Sequence, residues 1–265
     1  MTVLEGVFAE VQDGRLARRN PVCKLLSAVL LTVALVVSLD VVTPLLVLLA
    51  TLLAIPWSGV PLSRLTRTAG LLLLSAVTVG LSNAVFSATK SGEVLLGPIT
   101  TGSAQLGVAI ALRVLAIGLP GLLVVVATDP VDLADSLVQQ LHLPARFAYG
   151  TLAALRLLPL LGEEWETLSL ARRARGVEAG RNPVARLSQF AGQVLALLVA
   201  AVRRGIRLAT AMDARGFDSG VPRTAARQQV VRPADVGLVL ACVAVAVGAI
   251  LVSALLGAWR PLVGG

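Results

Sequence analysis

From Ala104 to Ala127 the chain runs on with one charged side chain, Arg113, and no other break in its hydrophobicity apart from Gln105. A helix that is apolar on all sides has to be surrounded by protein or by lipid. About 20 such residues match the thickness of a bilayer. Four more runs have the same character: Val22–Leu39, interrupted by Lys24, then Val41–Trp57, Ala69–Ala88 and Ala234–Trp259. Across 265 residues the mean hydropathy is +0.85 and 56% of residues are hydrophobic. The fold class is therefore an all-α integral membrane protein with about five transmembrane helices. Aromatic residues make up only 3% of the chain, which leaves Leu, Val and Ala to face the lipid.

The connections order these runs. Residues 1–21 are polar and mixed in charge and end in Arg18, Arg19, Asn20 and Pro21. No small-residue cleavage site follows a first apolar run, so no removable signal peptide is read. Asn20 is placed to cap a helix that starts at Pro21. Lys24 is expected to snorkel to the headgroups. The short link at Asp40 implies a tight helical hairpin, Trp57 sits where an interfacial aromatic belongs, and Arg64 and Arg67 fall in the next loop. Thr89–Ser103 reads as a loop rich in Gly, Ser and Thr, and Pro120-Gly121 should kink the fourth run.

Residues 128–233 differ from the rest. Thr128-Asp129-Pro130 starts a short helix, Val131–Leu141. Ala145–Arg175 reads as one long helix kinked at Pro159, and Asn182-Pro183 opens another that runs to about Arg215. Their apolar parts, Phe147–Leu161 and Leu187–Val202, fall short of a spanning length. The formal charge of +8 is nearly all arginine. With the N-terminus in the cytoplasm, Arg15, Arg18, Arg19, Lys24, Arg64, Arg67 and everything after residue 127 stay inside, while Asp40 and 89–103 lie outside. A crossing at Phe147–Leu161 would instead export Arg172, Arg173, Arg175 and Arg181. The organisation is thus a cytoplasmic segment 1–21, transmembrane helices 1–4 over 22–127, a cytoplasmic or interfacial helical domain over 128–233 and a fifth span over 234–259. Apolar faces as large as those at 147–161 and 187–202 need the spans, each other or a partner to cover them.

One motif occurs twice in that domain. Residues 171–176 read Ala-Arg-Arg-Ala-Arg-Gly and residues 211–216 read Ala-Met-Asp-Ala-Arg-Gly. Gly176 and Gly216 can take the left-handed conformation that ends a helix. Arg175 and Arg215 then sit where the helix dipole favours a cation. The alanine pairs Ala171/Ala174 and Ala211/Ala214 keep one face of each tip smooth. A single copy would read as ordinary capping; two copies with the same spacing read as a paired docking device.

With both motifs, the chain resembles the transmembrane T component of energy-coupling factor (ECF) transporters, importers of vitamins and of metals such as cobalt or nickel that are related to ABC transporters. Asn20-Pro21-Val22-Cys23-Lys24-Leu25 is similar to the family's Pro-x-x-Lys-Leu entry to the first span. Thr128–Leu141 resembles its Thr-x-Pro-x-x-Leu segment, and Ala174-Arg175-Gly176 and Ala214-Arg215-Gly216-Phe217 resemble its two signatures. The resemblance implies a coupling subunit of the plasma (inner) membrane. Arg175 and Arg215 would dock into two ABC-type ATPase subunits, with Ala171, Ala174, Gly176, Ala211, Ala214 and Gly216 shaping the tips. The apolar helix halves would carry a membrane-embedded, substrate-binding S component.

No enzyme is expected. Neither Lys24 nor Lys90 follows a glycine, so no Walker loop is present; ATP would belong to the partner subunits, and no cofactor of the chain's own is expected. Glu163, Glu164 and Glu166 lack a placed histidine or serine and should pair with arginines three to seven residues on or stay solvated. One histidine and two cysteines, Cys23 and Cys242, give no metal-ligand spacing, and the cysteines read as packing residues. Nucleic-acid binding lacks aromatic interleaving and a module. The competing reading is a membrane scaffold whose basic helices bind membrane lipids. Arg113 either faces the bundle or an S component, or snorkels outward.

Overall fold

In a computed structural model the described backbone covers residues 14–38, 40–60, 62–87, 93–96, 99–177, 182–217, 225 and 227–257. The helices are α1 Pro21–Val37, α2 Val42–Ser58, α3 Leu62–Phe86, α4 Thr101–Val126, α5 Pro130–Gln140, α6 Ala145–Ala174, α7 Pro183–Ala214 and α8 Pro233–Leu255. The architecture is that of an all-α membrane protein, with one five-residue addition. Val94–Leu96 (β1) pairs antiparallel with Ile99–Thr100 (β2) inside the stretch expected to be a loop. The described residues divide into two compact units, one within Glu10–Ser136 and Gln229–Gly265 and the other within Leu137–Gln228.

The helix starts follow the local chemistry. The Asn20 side chain accepts from the Val22 N–H ahead of Pro21, and the Asn182 side chain accepts from Val184 ahead of Pro183. Asp129 accepts from Val131 at 2.7 Å, with Pro130 as the first helical residue. Thr100 and Ser103 form a reciprocal capping box, so α4 starts three residues earlier than the apolar run. Similarly, α3 starts at Leu62: Arg64 and Arg67 lie in its first turns, not in a loop, because nothing between Leu62 and the apolar run breaks a helix. α4 and α6 run unbroken through Pro120 and Pro159.

The first unit has an interior made by α1, α2, α4 and α8, which meet at Leu31, Leu35, Val47, Leu48, Ala116, Leu119, Ala246 and Ala249. Large apolar residues such as Leu53, Leu71, Phe86 and Leu255 point outward, the reverse of a water-soluble bundle. α3 packs on α4 at backbone distance. A Cβ on Gly107 would stand 2.6 Å from the Gly80 carbonyl oxygen and 2.8 Å from the Ala84 Cβ, so glycine is required there. Among the described residues, four helices are long and apolar enough to cross a membrane: the Ala69–Phe86 part of α3, α4, α7 and α8. α1 and α2, at 17 residues each, are shorter apolar helices. α7 satisfies this count because it is one uninterrupted helix of 32 residues, whereas its apolar stretch alone looked too short.

Two buried polar clusters pin the spans. At one end Asp40 accepts from the Thr43 backbone N–H (2.8 Å), the Thr43 hydroxyl (2.8 Å), the Ser253 hydroxyl (2.5 Å) and the Ser38 hydroxyl. Burial alone would raise the Asp40 pKa, but the hydrogen bonds from Ser253, Ser38 and Thr43 outweigh it and hold the carboxyl below its ordinary value. Arg113, half-buried, donates to the Ser38 carbonyl and feels Asp40; it faces the bundle. At the other end Lys24 is 1% exposed and its Nζ donates to the Ala127 carbonyl oxygen at 2.7 Å. The expected snorkelling does not occur. An unsatisfied carbonyl at the end of α4 captures the amine, and the carboxylates of Asp132, Asp235 and Asp129 supply a counter-field. Asp235 itself is buried, accepts from the backbone N–H groups of Asn20 (3.3 Å) and Arg232 (2.8 Å), and lies 3.9 Å from the Arg19 guanidinium. Cys23 is buried, Cys242 is half-buried, and both are free thiols.

Candidate functional site

The second unit is built on α6 and α7, of which no residue is buried. Both end in the same hydrogen-bonded cap. At the end of α6, Gly176 has φ +71° and donates to the Arg173 carbonyl (2.9 Å), while Val177 donates to the Arg172 carbonyl (3.1 Å). At the end of α7, Gly216 has φ +75° and donates to Asp213 (2.9 Å), while Phe217 donates to Met212 (3.1 Å). These are two Schellman motifs, each with glycine at the left-handed position. Arg175 and Arg215 are the C-cap residues, with near-identical backbones (φ −87°, ψ 5° and φ −89°, ψ 9°). Ala171, Ala174, Arg175 and Gly176, like Ala211, Ala214, Arg215 and Gly216, are all exposed. The repeat in sequence is thus a repeat in backbone geometry: each tip presents an arginine at the same C-cap position of an exposed helix end.

What the structure does not do is bring the two tips together. α6 and α7 run in opposite senses. Beyond the first tip, the Val177 carbonyl accepts from Gln189 Nε2 (2.7 Å), and Arg172 Nη1 donates to the Gln189 carbonyl (3.0 Å). Beyond the second tip, the Phe217 ring meets Tyr149 edge-on at 6.3 Å, near the start of α6. Between them lie the Trp165–Phe190 edge contact (5.6 Å) and the Glu164–Arg204 ion pair (3.3 Å). That ion pair crosses between helices and is not the local pairing expected for Glu164, because Arg204 approaches from the facing helix. Arg215 stands 26 positions along α7 from Gln189 (215 − 189), which at 1.5 Å per residue places the tips about 39 Å apart. A standard interface buries about 800 Å² on each partner, so the tips fit two separate docking patches.

Their charges differ. The first tip has Arg172 and Arg173 in the last helical turn beside Arg175, whereas the second has Asp213 two positions before Arg215. The sequence marks Arg172 only as part of a basic run and Gln189 only as a polar position in an apolar stretch, and nothing in it pairs the two to brace the first tip. The apolar face expected on α7 is present and exposed at Leu187, Val194, Leu195, Leu198, Val202 and Ile206. On α6, Phe147, Leu158 and Leu160 are exposed as well. An apolar stripe of this length on a basic helix marks an interaction surface.

Comparison with known proteins decides the family. The CbiQ family, described as cobalt transport protein, matches residues 14–225. The chain belongs to this family. It is similar to the energy-coupling factor transporter transmembrane protein EcfT of Limosilactobacillus fermentum, at 31% identity over 246 residues, covering 88% of this chain and 91% of that protein. The EcfT of Exiguobacterium sibiricum is 28% identical over 241 residues, covering 86% and 91%. That of Staphylococcus aureus is 32% identical over 152 residues, covering 53% of this chain and 57% of that protein. Membership fixes a coarse function: this is the transmembrane (T) component of an ECF transporter, a multi-pass membrane protein of a permease family and not of an enzyme family. Of the residues that carried the resemblance, both Ala-Arg-Gly tips and the Pro-x-x-Lys entry lie within the matched region.

Proposed function

We propose that this T component couples ATP hydrolysis by two ABC-type ATPase subunits to a membrane-embedded S component for uptake of a vitamin or transition metal. The observation that carries the proposal is the pair of Schellman-capped arginine tips at opposite ends of the antiparallel α6–α7 pair, one for each ATPase. ATP is held by those partners, and the chain has no cofactor and no chemistry of its own. The exposed stripe on α7, with the apolar part of α6, is the S-component platform. Five helices, α1, α2, α3, α4 and α8, cross the plasma membrane, and the N-terminus and residues 128–233 face the cytoplasm. The basic residues support this topology over one in which α7 crosses, since every arginine-rich connection then stays inside.

The direct test is purification of the tagged chain from native membranes in mild detergent, with its partners identified by mass. Two ATPase copies or two related ATPases, together with a small apolar membrane protein, are expected. Recovery of the chain alone, with lipid as its only companion, would favour the lipid-scaffold reading.

A further inference from the structure

The first unit contains a cleft of about 430 Å³ bounded by α1, α2, α4, α8 and the residues that precede α1. That volume falls within the roughly 300–1,000 Å³ of small-molecule sites. Its origin lies in the sequence. Ala28 of α1, Ala50 and Ala54 of α2 and Ala241 of α8 all line the space, so short side chains stand where larger ones would have closed it. α1 and α2 touch each other sparingly and pack instead on α4 and α8, which leaves a wedge between them. The deeper walls are formed by Leu31, Leu123 and Val245.

The mouth has a different chemistry. Arg15, exposed, and Arg19, about a third exposed, line it together with Trp57, which is 73% exposed at the end of α2. An exposed tryptophan beside arginines is the signature of headgroup depth in a spanning protein. Asp235 lies 3.9 Å from Arg19 but is buried, and it also accepts two backbone N–H groups. A guanidinium has five donors, so Arg19 retains capacity for a second acceptor. Lys24 lines the inner wall, but its Nζ is committed to the Ala127 carbonyl. The combination is an acyl-sized apolar slot beneath a doubly cationic rim.

We propose that this cleft holds one anionic phospholipid, with an acyl chain against the alanine-lined walls and the phosphate on Arg15 and Arg19. Placing it in the cytoplasmic leaflet, where anionic lipids concentrate, rests on the topology proposed above. The site shares no residue with either arginine tip or with the apolar stripe of α7, and neither role needs the other.

The test uses the full-length chain, delipidated in uncharged detergent and titrated with dioleoylphosphatidylglycerol or dioleoylphosphatidylcholine under native mass spectrometry. One phosphatidylglycerol per chain is expected, bound in preference to phosphatidylcholine. Replacing both arginines (Arg15→Gln with Arg19→Gln) should weaken phosphatidylglycerol about 25-fold, at about fivefold per arginine, and leave phosphatidylcholine unchanged. Ala54→Leu and Ala241→Leu narrow the slot at exposed positions that tolerate a larger side chain, and each should weaken both lipids. Equal binding of the two lipids by the unaltered chain, or phosphatidylglycerol binding that none of these variants changes, would overturn the proposal. So would a tenfold gain for both lipids on deleting residues 2–13, which would make that segment the occupant. ATPase co-purification is followed in parallel. Lipid loss with the ATPases retained tests this cleft alone, and absence of ATPases from the unaltered chain tests the coupling reading alone.

Discussion

Replacing Lys24 with methionine keeps an unbranched apolar stem of similar volume and removes the amine. If Lys24 snorkelled to the headgroups, the change would be neutral or favourable, since a lysine within a span costs about 2.5–3.5 kcal/mol on insertion scales. The structure gives the opposite sign. Its Nζ is buried against the Ala127 carbonyl at 2.7 Å, one of the acceptors that α4 leaves open at its C-terminus. Removing the amine leaves that buried carbonyl without its donor, which costs about 1–3 kcal/mol. That corresponds to about a five- to hundredfold shift toward the unfolded state. The damage should be local as well, because Ala127 lies just before Asp129 and Pro130, where the chain leaves the spans for α5. Thermal unfolding in detergent, with hydrogen exchange across residues 123–133, provides the assay. Lys24→Met should lower stability and raise exchange there, with Ser27→Ala as the neighbouring control. Unchanged or increased stability, with exchange unaltered, would refute the argument.

Asp40 gives a pH signature. Its folded pKa lies below the unfolded value, so its stabilisation is present above the unfolded pKa and fades as pH falls through the folded one. Asp40→Asn should therefore destabilise at pH 7 and progressively less as the solution is acidified, as followed by thermal unfolding. At the tips, Gly176→Ala and Gly216→Ala impose a left-handed backbone on a residue with a Cβ, costing about 1–2 kcal/mol. A Cβ at Gly176 meets nothing within 4 Å, so the effect there is conformational and not steric. ATPase pull-down should then rank glycine above asparagine above alanine at each tip, because asparagine tolerates this region better. For topology, in a chain carrying Cys23→Ala and Cys242→Ala, a cysteine at Gly102 should label from outside intact cells and one at Ser188 should not. External labelling at Ser188 would overturn the five-span arrangement.

Hydrophobic runs and caps made much of the fold legible. Asn20-Pro21, Asp129-Pro130 and Asn182-Pro183 mark helix starts because their side chains satisfy the first N–H groups locally, and the structure has all three bonds. Gly176 and Gly216 were legible for the same reason: a left-handed cap is a property of a few consecutive residues. Contacts between distant segments were not legible. Lys24 and Ala127 are separated by 103 positions, and Asp40 and Ser253 by 213, so nothing local marks either pairing. That the tips lie at opposite ends of the pair likewise depends on which way α7 lies along α6, which contacts such as Gln189–Val177 and Tyr149–Phe217 reveal. The β1–β2 hairpin escaped notice because strands of three and two residues are too short for an alternating pattern.

The central claim is that two positioned arginines, and not the basic charge of the domain, hold the ATPases. Arginine at the centre of a packed interface contributes about 2–4 kcal/mol on truncation, or about thirty-fold to nearly a thousand-fold in affinity. The decisive measurement is ATPase co-purification with Arg175→Ala, Arg215→Ala, the double variant, and the controls Arg203→Ala and Arg207→Ala, which are exposed on α7 away from both tips. Each tip variant should weaken docking. The double variant should release the ATPases while the chain still inserts and keeps its S component. Lysine at either tip should rescue poorly, because a point charge does not reproduce the guanidinium fork. Equal losses in tip and control variants would mean that charge density matters and position does not, and would contradict the account.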